Sequence, residues 1–189
     1  GRIGSGKTTL LRALLGLLPA DAGTWQWNGE PVAEPAVFFT PPQAAYTPQT
    51  PRLFSETLRD NILMGLHADK PAGMQDATLA AALRQAMLET DVPGLERGLE
   101  TLIGPRGVKL SGGQLQRAAA ARMFVRLPEL LVFDDLSSAL DIETEHTLWT
   151  RLAEQAAATC LVVSHRRAAL RRADRILVLK DGALAAEGR

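Results

Sequence analysis

Three apolar runs, ELLVFDD, ATCLVVSH and RILVLKDG, recur through the last third of this 189-residue chain. They lack the polar alternation of a strand with one wet face, so each must be covered on both faces. Between them stand DIETEHTLWTRLAEQAA and RRAALRRAD, whose spacing predicts helices. Continuous Val/Leu/Ile strands separated by helices make a mostly parallel sheet wrapped on both sides, which places the chain in the α/β class. After the third run, Asp181-Gly182 predicts a hairpin back toward ALAA.

Upstream, GKTTLLRALLGLLPA predicts a helix after a glycine-rich loop, with Leu11, Leu14, Leu15 and Leu18 at helical spacing and Pro19 as its stop. TWQWNGEPV alternates around Asn28-Gly29, a strong hairpin signal, and puts Trp25 and Trp27 on one strand face for packing. TPPQAAYTPQTPRLF predicts a Pro-rich loop around one short strand near Tyr46. From Ser55 to about Arg97 the pattern is helical, and Leu79, Leu83, Ala86 and Thr90 share a face flanked by Ala82 and Met87. GPRGVKLSGG is turn-rich, and GQLQRAAAARMFVR reads as a helix ended by Pro128. This change of character predicts one domain over 1–189: a core from 1–54 and 126–189, with an inserted helical subdomain over 55–125.

With 46% hydrophobic residues, the chain can bury one sizeable core. Lys+Arg and Asp+Glu balance at 21 each, which removes the global charge that would draw it to nucleic acid or anionic lipid. The single cysteine, Cys160, excludes an internal disulfide and, inside an apolar run, is expected to be a buried thiol. No signal peptide and no run of about 18 apolar residues is visible, so a soluble cytosolic chain is expected. The sequence opens without Met, directly on GRIGSGKTTL, and is read as a fragment of a longer protein.

Chemistry concentrates in three motifs. GRIGSGKT, from Gly1 to Thr8, fits G-x-x-x-x-G-K-[ST]. In such a loop the backbone of Gly1, Arg2, Ile3, Gly4, Ser5 and Gly6 surrounds a β-phosphate, aided by the helix N-terminus at Lys7, Thr8 and Thr9. Lys7 would bridge the β- and γ-phosphates, and the Thr8 hydroxyl would ligate Mg²⁺. LLVFDD ends an apolar strand in Asp134, the carboxylate that such a site needs opposite Thr8. LSGGQ supplies Ser111, Gly112, Gly113 and Gln114 at the start of a helix, a second anion-binding arrangement.

With LSGGQ on a chain that also carries GRIGSGKT and VFDD, the whole sequence resembles the nucleotide-binding domain of ATP-binding cassette (ABC) transporters. The resemblance implies a P-loop NTPase (RecA-like) core, an inserted helical subdomain holding the signature, and ATP with Mg²⁺ as ligands. It implies that Ser111 to Gln114 cap the γ-phosphate held by a partner domain in a head-to-tail dimer. Gln49 looks like the Q-loop residue that contacts Mg²⁺ or the attacking water, Asp141 like the D-loop residue that crosses the dimer interface, and His165 like the switch histidine near the γ-phosphate. His67 and His146 have no such place and are expected on the surface, and HRRAALRRADR is expected to be a solvated helix face, with no nucleic acid as partner. TPQTPRLFSETLRDNILMG and TLIGPRGVKLSGGQ are similar to exporter segments, although Leu102 stands where the family often has Glu. A transmembrane domain is the implied second partner, at the cytoplasmic face of the membrane.

One departure bears on catalysis. The family usually follows the Walker B Asp with Glu as general base, and here that residue is Asp135. Asp is one methylene shorter, and a misplacement of about 1 Å can cost on the order of 10²-fold in rate. ATP and Mg²⁺ binding through Lys7, Thr8 and Asp134 needs no such reach, so binding is expected to survive and hydrolysis to be slow. Together with an intact LSGGQ, this resembles the weakened half of a heterodimeric exporter whose partner ends its Walker B strand in Asp-Glu. Two alternatives stay open: a nucleotide-binding regulatory clamp, and a soluble ABC ATPase in translation or DNA repair.

Overall fold

The structure, a computed structural model, describes residues 2, 4–66, 72–136, 140–154 and 158–189. Helix α1 (Lys7–Leu14) follows the glycine-rich loop. It stops short of Pro19 because Gly16 takes φ 69, a left-handed conformation that ends a helix. Leu11 and Leu15 are buried, whereas Leu14 and Leu18 are exposed. Strands β1 (Trp25–Trp27) and β2 (Glu30–Val32) form the expected hairpin. Asn28 and Gly29 both have positive φ, 51 and 87, as a primed two-residue turn requires. Trp27 packs edge-on against Phe38 and Phe39, which belong to the short helix α2 (Pro35–Phe38) and its end.

Strand β3 (Ala44–Thr47) leads into helices α3 (Leu58–Leu63) and α4 (Ala72–Gln85). Helix α4 buries Leu79, Ala82 and Leu83; Ala86 is buried just past its end, while Met87 has already turned to φ 58 and Thr90 is exposed. Two 3-10 turns, Val92–Gly94 and Gly98–Glu100, precede helix α5 (Gly112–Phe124). Arginines of α5 hold the end of α3. Arg122 donates to the Asn61 carbonyl and side chain at 2.6 and 3.0 Å, and Arg126 to the carbonyls of Ile62 and Met64. These bonds satisfy carbonyls that a helix end leaves without partners.

Strand β4 (Leu130–Asp134), helix α6 (Ile142–Glu154) and strand β5 (Thr159–Val163) complete a parallel sheet in the order β3-β4-β5. In register, Tyr46 pairs with Val132, and Asp134 with Val163. Leu131 and Phe133 point into a large core with α3, α4, α5 and α6. Leu130 and Val132 point to the other face, against Leu11 and Leu15 of α1. Phe133, stacked edge-on against Trp149 at 5.8 Å, is fully buried.

The third apolar run behaves differently from its sequence pattern. After helix α7 (Arg167–Leu170), strand β6 (Ile176–Lys180) pairs antiparallel with β7 (Ala183–Gly188) through the Asp181-Gly182 turn. Among the described residues it does not join the parallel sheet, and Leu177 is 48% exposed. Cys160 also departs from expectation: it lies exposed on β5 rather than buried. Apolar identity alone does not bury a residue; the strand must also have layers on both sides. No helix among the described residues is long and apolar enough to cross a membrane. His146 is exposed, as expected, and His67 lies outside the described residues.

Candidate nucleotide-binding site

Period-two alternation along β4 sends Asp134 to the same face as Leu130 and Val132, the face that carries α1. There the glycine-rich loop turns into the helix. Gly4 and Gly6 adopt φ 80 and 88, and Gly6 caps α1 with no side chain bonded to its first turn. Glycine at the N-cap has no side chain to bond the first turn of α1, and helix N-termini of this kind offer N–H groups to anions. Lys7 folds over the loop, donating to the Arg2 carbonyl at 2.8 Å and to Ser5 Oγ at 3.3 Å.

A cleft of about 230 Å³ opens here, lined by Gly4, Ser5, Gly6, Lys7, Thr8, Thr9, Gln49, Asp134, Asp135, Val163 and His165. Arg2 is exposed beside the loop, and Gly1 and Ile3 lie outside the described residues. Segments distant in sequence thus converge on one concave surface. Alternation alone would send Asp134 and Asp135 to opposite faces of β4. Asp135 escapes by taking φ 56, a left-handed conformation that Asp tolerates better than most residues, while its N–H donates to the Val163 carbonyl at 3.0 Å.

The two carboxylates then sit in different surroundings. Asp134 is 1% exposed and accepts from the Tyr46 hydroxyl at 3.2 Å. Burial pushes the Tyr46 hydroxyl above its ordinary range; Arg12 beside it pulls down, and the Asp134 charge pushes up. For Asp135, burial raises the carboxyl, His165 opposes this, Asp134 adds to it, and Arg166 and a hydrogen bond from Gln49 oppose it. His165 itself is exposed. The next residue, Arg166, reaches Glu145 of α6 at 3.2 Å, and this buried carboxylate also accepts from Trp149 at 3.2 Å.

Ser111, Gly112, Gly113, Gln114 and Asp141 do not line the cleft. Ser111 and Gln114 cap α5 reciprocally: Gln114 N–H donates to Ser111 Oγ at 3.3 Å, and Ser111 N–H to Gln114 Oε1 at 3.0 Å. Asp91 braces this turn by accepting from Arg117 at 2.8 and 3.0 Å and from Gln114 at 3.3 Å. Asp141 caps α6, accepting from the Thr144 amide at 2.9 Å and the Thr144 hydroxyl at 2.7 Å. Sequence reasoning passed over Tyr46 and Asp91. The sole local signal for Tyr46 was its place on a short strand three residues before Gln49.

The residues present fit ATP with Mg²⁺. Thr8 and Asp134 are hard oxygen donors on the same cleft, the ligand type that Mg²⁺ takes alongside substrate phosphates. The start of α1 and Lys7 supply the matching positive field.

Comparison with known proteins agrees with this chemistry. The family profile described as ABC transporter matches residues 1–138. The chain is 38% identical over 192 residues to a probable multidrug resistance ABC transporter ATP-binding/permease protein, YheI, of Bacillus subtilis (strain 168), covering 100% of this chain and 32% of that protein. It is also 38% identical over 189 residues to an ATP-dependent lipid A-core flippase of Cupriavidus metallidurans, with the same two coverages. Among solved structures, a bacterial Atm1-family ABC exporter with ATP bound superposes with a TM-score of 0.85 at 31% identity, over 100% of this chain and 32% of that one. The chain thus spans about a third of the length of these two relatives. It belongs to the ABC transporter family, as an ATP-binding domain similar to that of an exporter.

Proposed function

We propose that this chain binds MgATP in the cleft and powers export of a substrate across a membrane, with slow hydrolysis at its own site. The observation that carries the reading is the convergence of Lys7, Thr8, Gln49, Asp134, Asp135 and His165 on one cleft. In this reading Lys7 and the start of α1 hold the phosphates. Thr8 and Asp134 hold Mg²⁺, which when bound neutralises phosphate charge. Asp135 orients or deprotonates the attacking water, with Gln49 and His165 beside it.

Asp135 is ill placed for rapid turnover. It is one methylene shorter than Glu. A general base must come within about 2.6–3.2 Å of the proton it takes. Ser111 to Gln114 and Asp141, which lie away from this cleft, serve the site of a second ATP-binding domain. We read that domain as a different chain with a Glu base, residues 55–125 as the subdomain that carries the signature, and a transmembrane domain at the cytoplasmic face as the other partner. The relatives are named for multidrug resistance and for lipid A-core flipping, which supports a membrane transport role and leaves the cargo class open.

Single-turnover ATP hydrolysis by the full-length protein tests this. Asp135→Glu is expected to raise the rate by on the order of 10- to 100-fold, and Asp135→Asn to lower it further. No gain in Asp135→Glu removes the weakened-base reading, and a rate shared by wild type and Asp135→Asn identifies a regulatory clamp. A homodimer with ordinary turnover would remove the heterodimer.

A further inference from the structure

Gln116 is polar yet only 5% exposed, one turn into α5. Its Nε2 donates to the backbone carbonyl of Gln49 at 2.7 Å, across 67 residues of sequence. Gln49 and Asp135 both line the cleft. The turn that carries Gln116 is itself held, because Arg117 and Gln114 on either side of it are tied to Asp91. Gln116 Oε1 is buried with no partner among the described residues. A buried amide with an unsatisfied oxygen is costly, so the bond made by its nitrogen has to account for its presence.

We propose that Gln116 is a positioning residue for Gln49, fixing the backbone of its loop so that Gln49 faces the cleft beside Asp135. This rests on the reading of that cleft as an ATP site. The side-chain type follows from the geometry. The group must donate, which Glu cannot do when ionised, and it must reach a carbonyl that Asn, one methylene shorter, would miss.

The test uses the full-length protein with Gln116→Glu and Gln116→Met, the second keeping length without a buried charge should the first fail to fold. Single-turnover hydrolysis at saturating ATP is expected to fall about tenfold, with the half-saturating ATP concentration changed by less than about threefold. Hydrogen exchange is expected to rise in peptides covering 48–53 while peptides covering 130–134 stay protected. A residue that merely supports the fold would instead raise exchange in both regions and move rate, ATP affinity and melting temperature together, and that result overturns the proposal. Wild-type rates in the folded Gln116→Met protein overturn it as well. Lys7→Ala separates the two levels of the argument. If it binds and hydrolyses ATP like wild type, the ATP-site reading fails and takes this inference with it. If it loses turnover while the Gln116 variants keep theirs, only the inference fails.

Discussion

Tyr46 shows how a single hydroxyl joins elements that are 88 residues apart, by donating to Asp134 at 3.2 Å. In the proposed role of Asp134 as a Mg²⁺ ligand, the hydroxyl fixes its orientation, and loss of such a bond typically costs about tenfold or more in metal affinity. Tyr46→Phe keeps the ring and removes the donor. The Mg²⁺ concentration that half-saturates nucleotide binding is therefore expected to rise about tenfold, read by titrating Mg²⁺ against a fluorescent ATP analogue. Asp141 carries a pH prediction at the same scale. Its bonds from the Thr144 hydroxyl and then the Thr144 amide hold the carboxyl below its ordinary value. A lowered folded value means that the ionised cap stabilises α6 above the unfolded pKa of about 3.9 and is lost as pH falls through the folded value. The stability advantage of wild type over Asp141→Asn should shrink across that acidic window in denaturation curves taken at successive pH values.

At the scale of elements, the α5 N-terminus and the loop before it are held by close backbone approach. Gly104 has φ 86, and a Cβ there would lie 2.5 Å from the Phe54 carbonyl oxygen. Strain from a left-handed residue and overpacking against backbone add, so Gly104→Ala should cost about 2–4 kcal/mol by chemical denaturation. Some elements were legible beforehand because their determinants are local. The Asn28-Gly29 hairpin needs only two residues that accept positive φ, and α5 announces itself through Ser111 and Gln114, which cap it. The end of α1 was misplaced because Gly16 stops the helix before the more conspicuous Pro19 can. The helical pattern read as far as about Arg97, but Met87 at φ 58 ends α4, and two 3-10 turns follow.

For the whole molecule, one large core joins both halves of the predicted division. Leu58, Ile62 and Leu79 of the helical stretch share it with Leu131, Phe133 and Trp149 of the sheet and its helix. Phe133→Ala should therefore cost about 3–5 kcal/mol and lower one cooperative unfolding transition rather than splitting it, as followed by circular dichroism and tryptophan fluorescence together. The sequence by itself determined the α/β class, the loop from Gly4 to Thr9, the carboxylates at 134 and 135, and the capped start of α5, because backbone propensity, strand period and capping act over a few residues. Tertiary structure alone decided that Asp135 turns into the same cleft as Asp134, that Tyr46 and Gln116 reach Asp134 and Gln49, and that, among the described residues, the β6–β7 hairpin stays out of the parallel sheet. Each of these depends on which distant segments pack together and on the covering that a strand receives, and neither quantity is encoded in any short window of the chain.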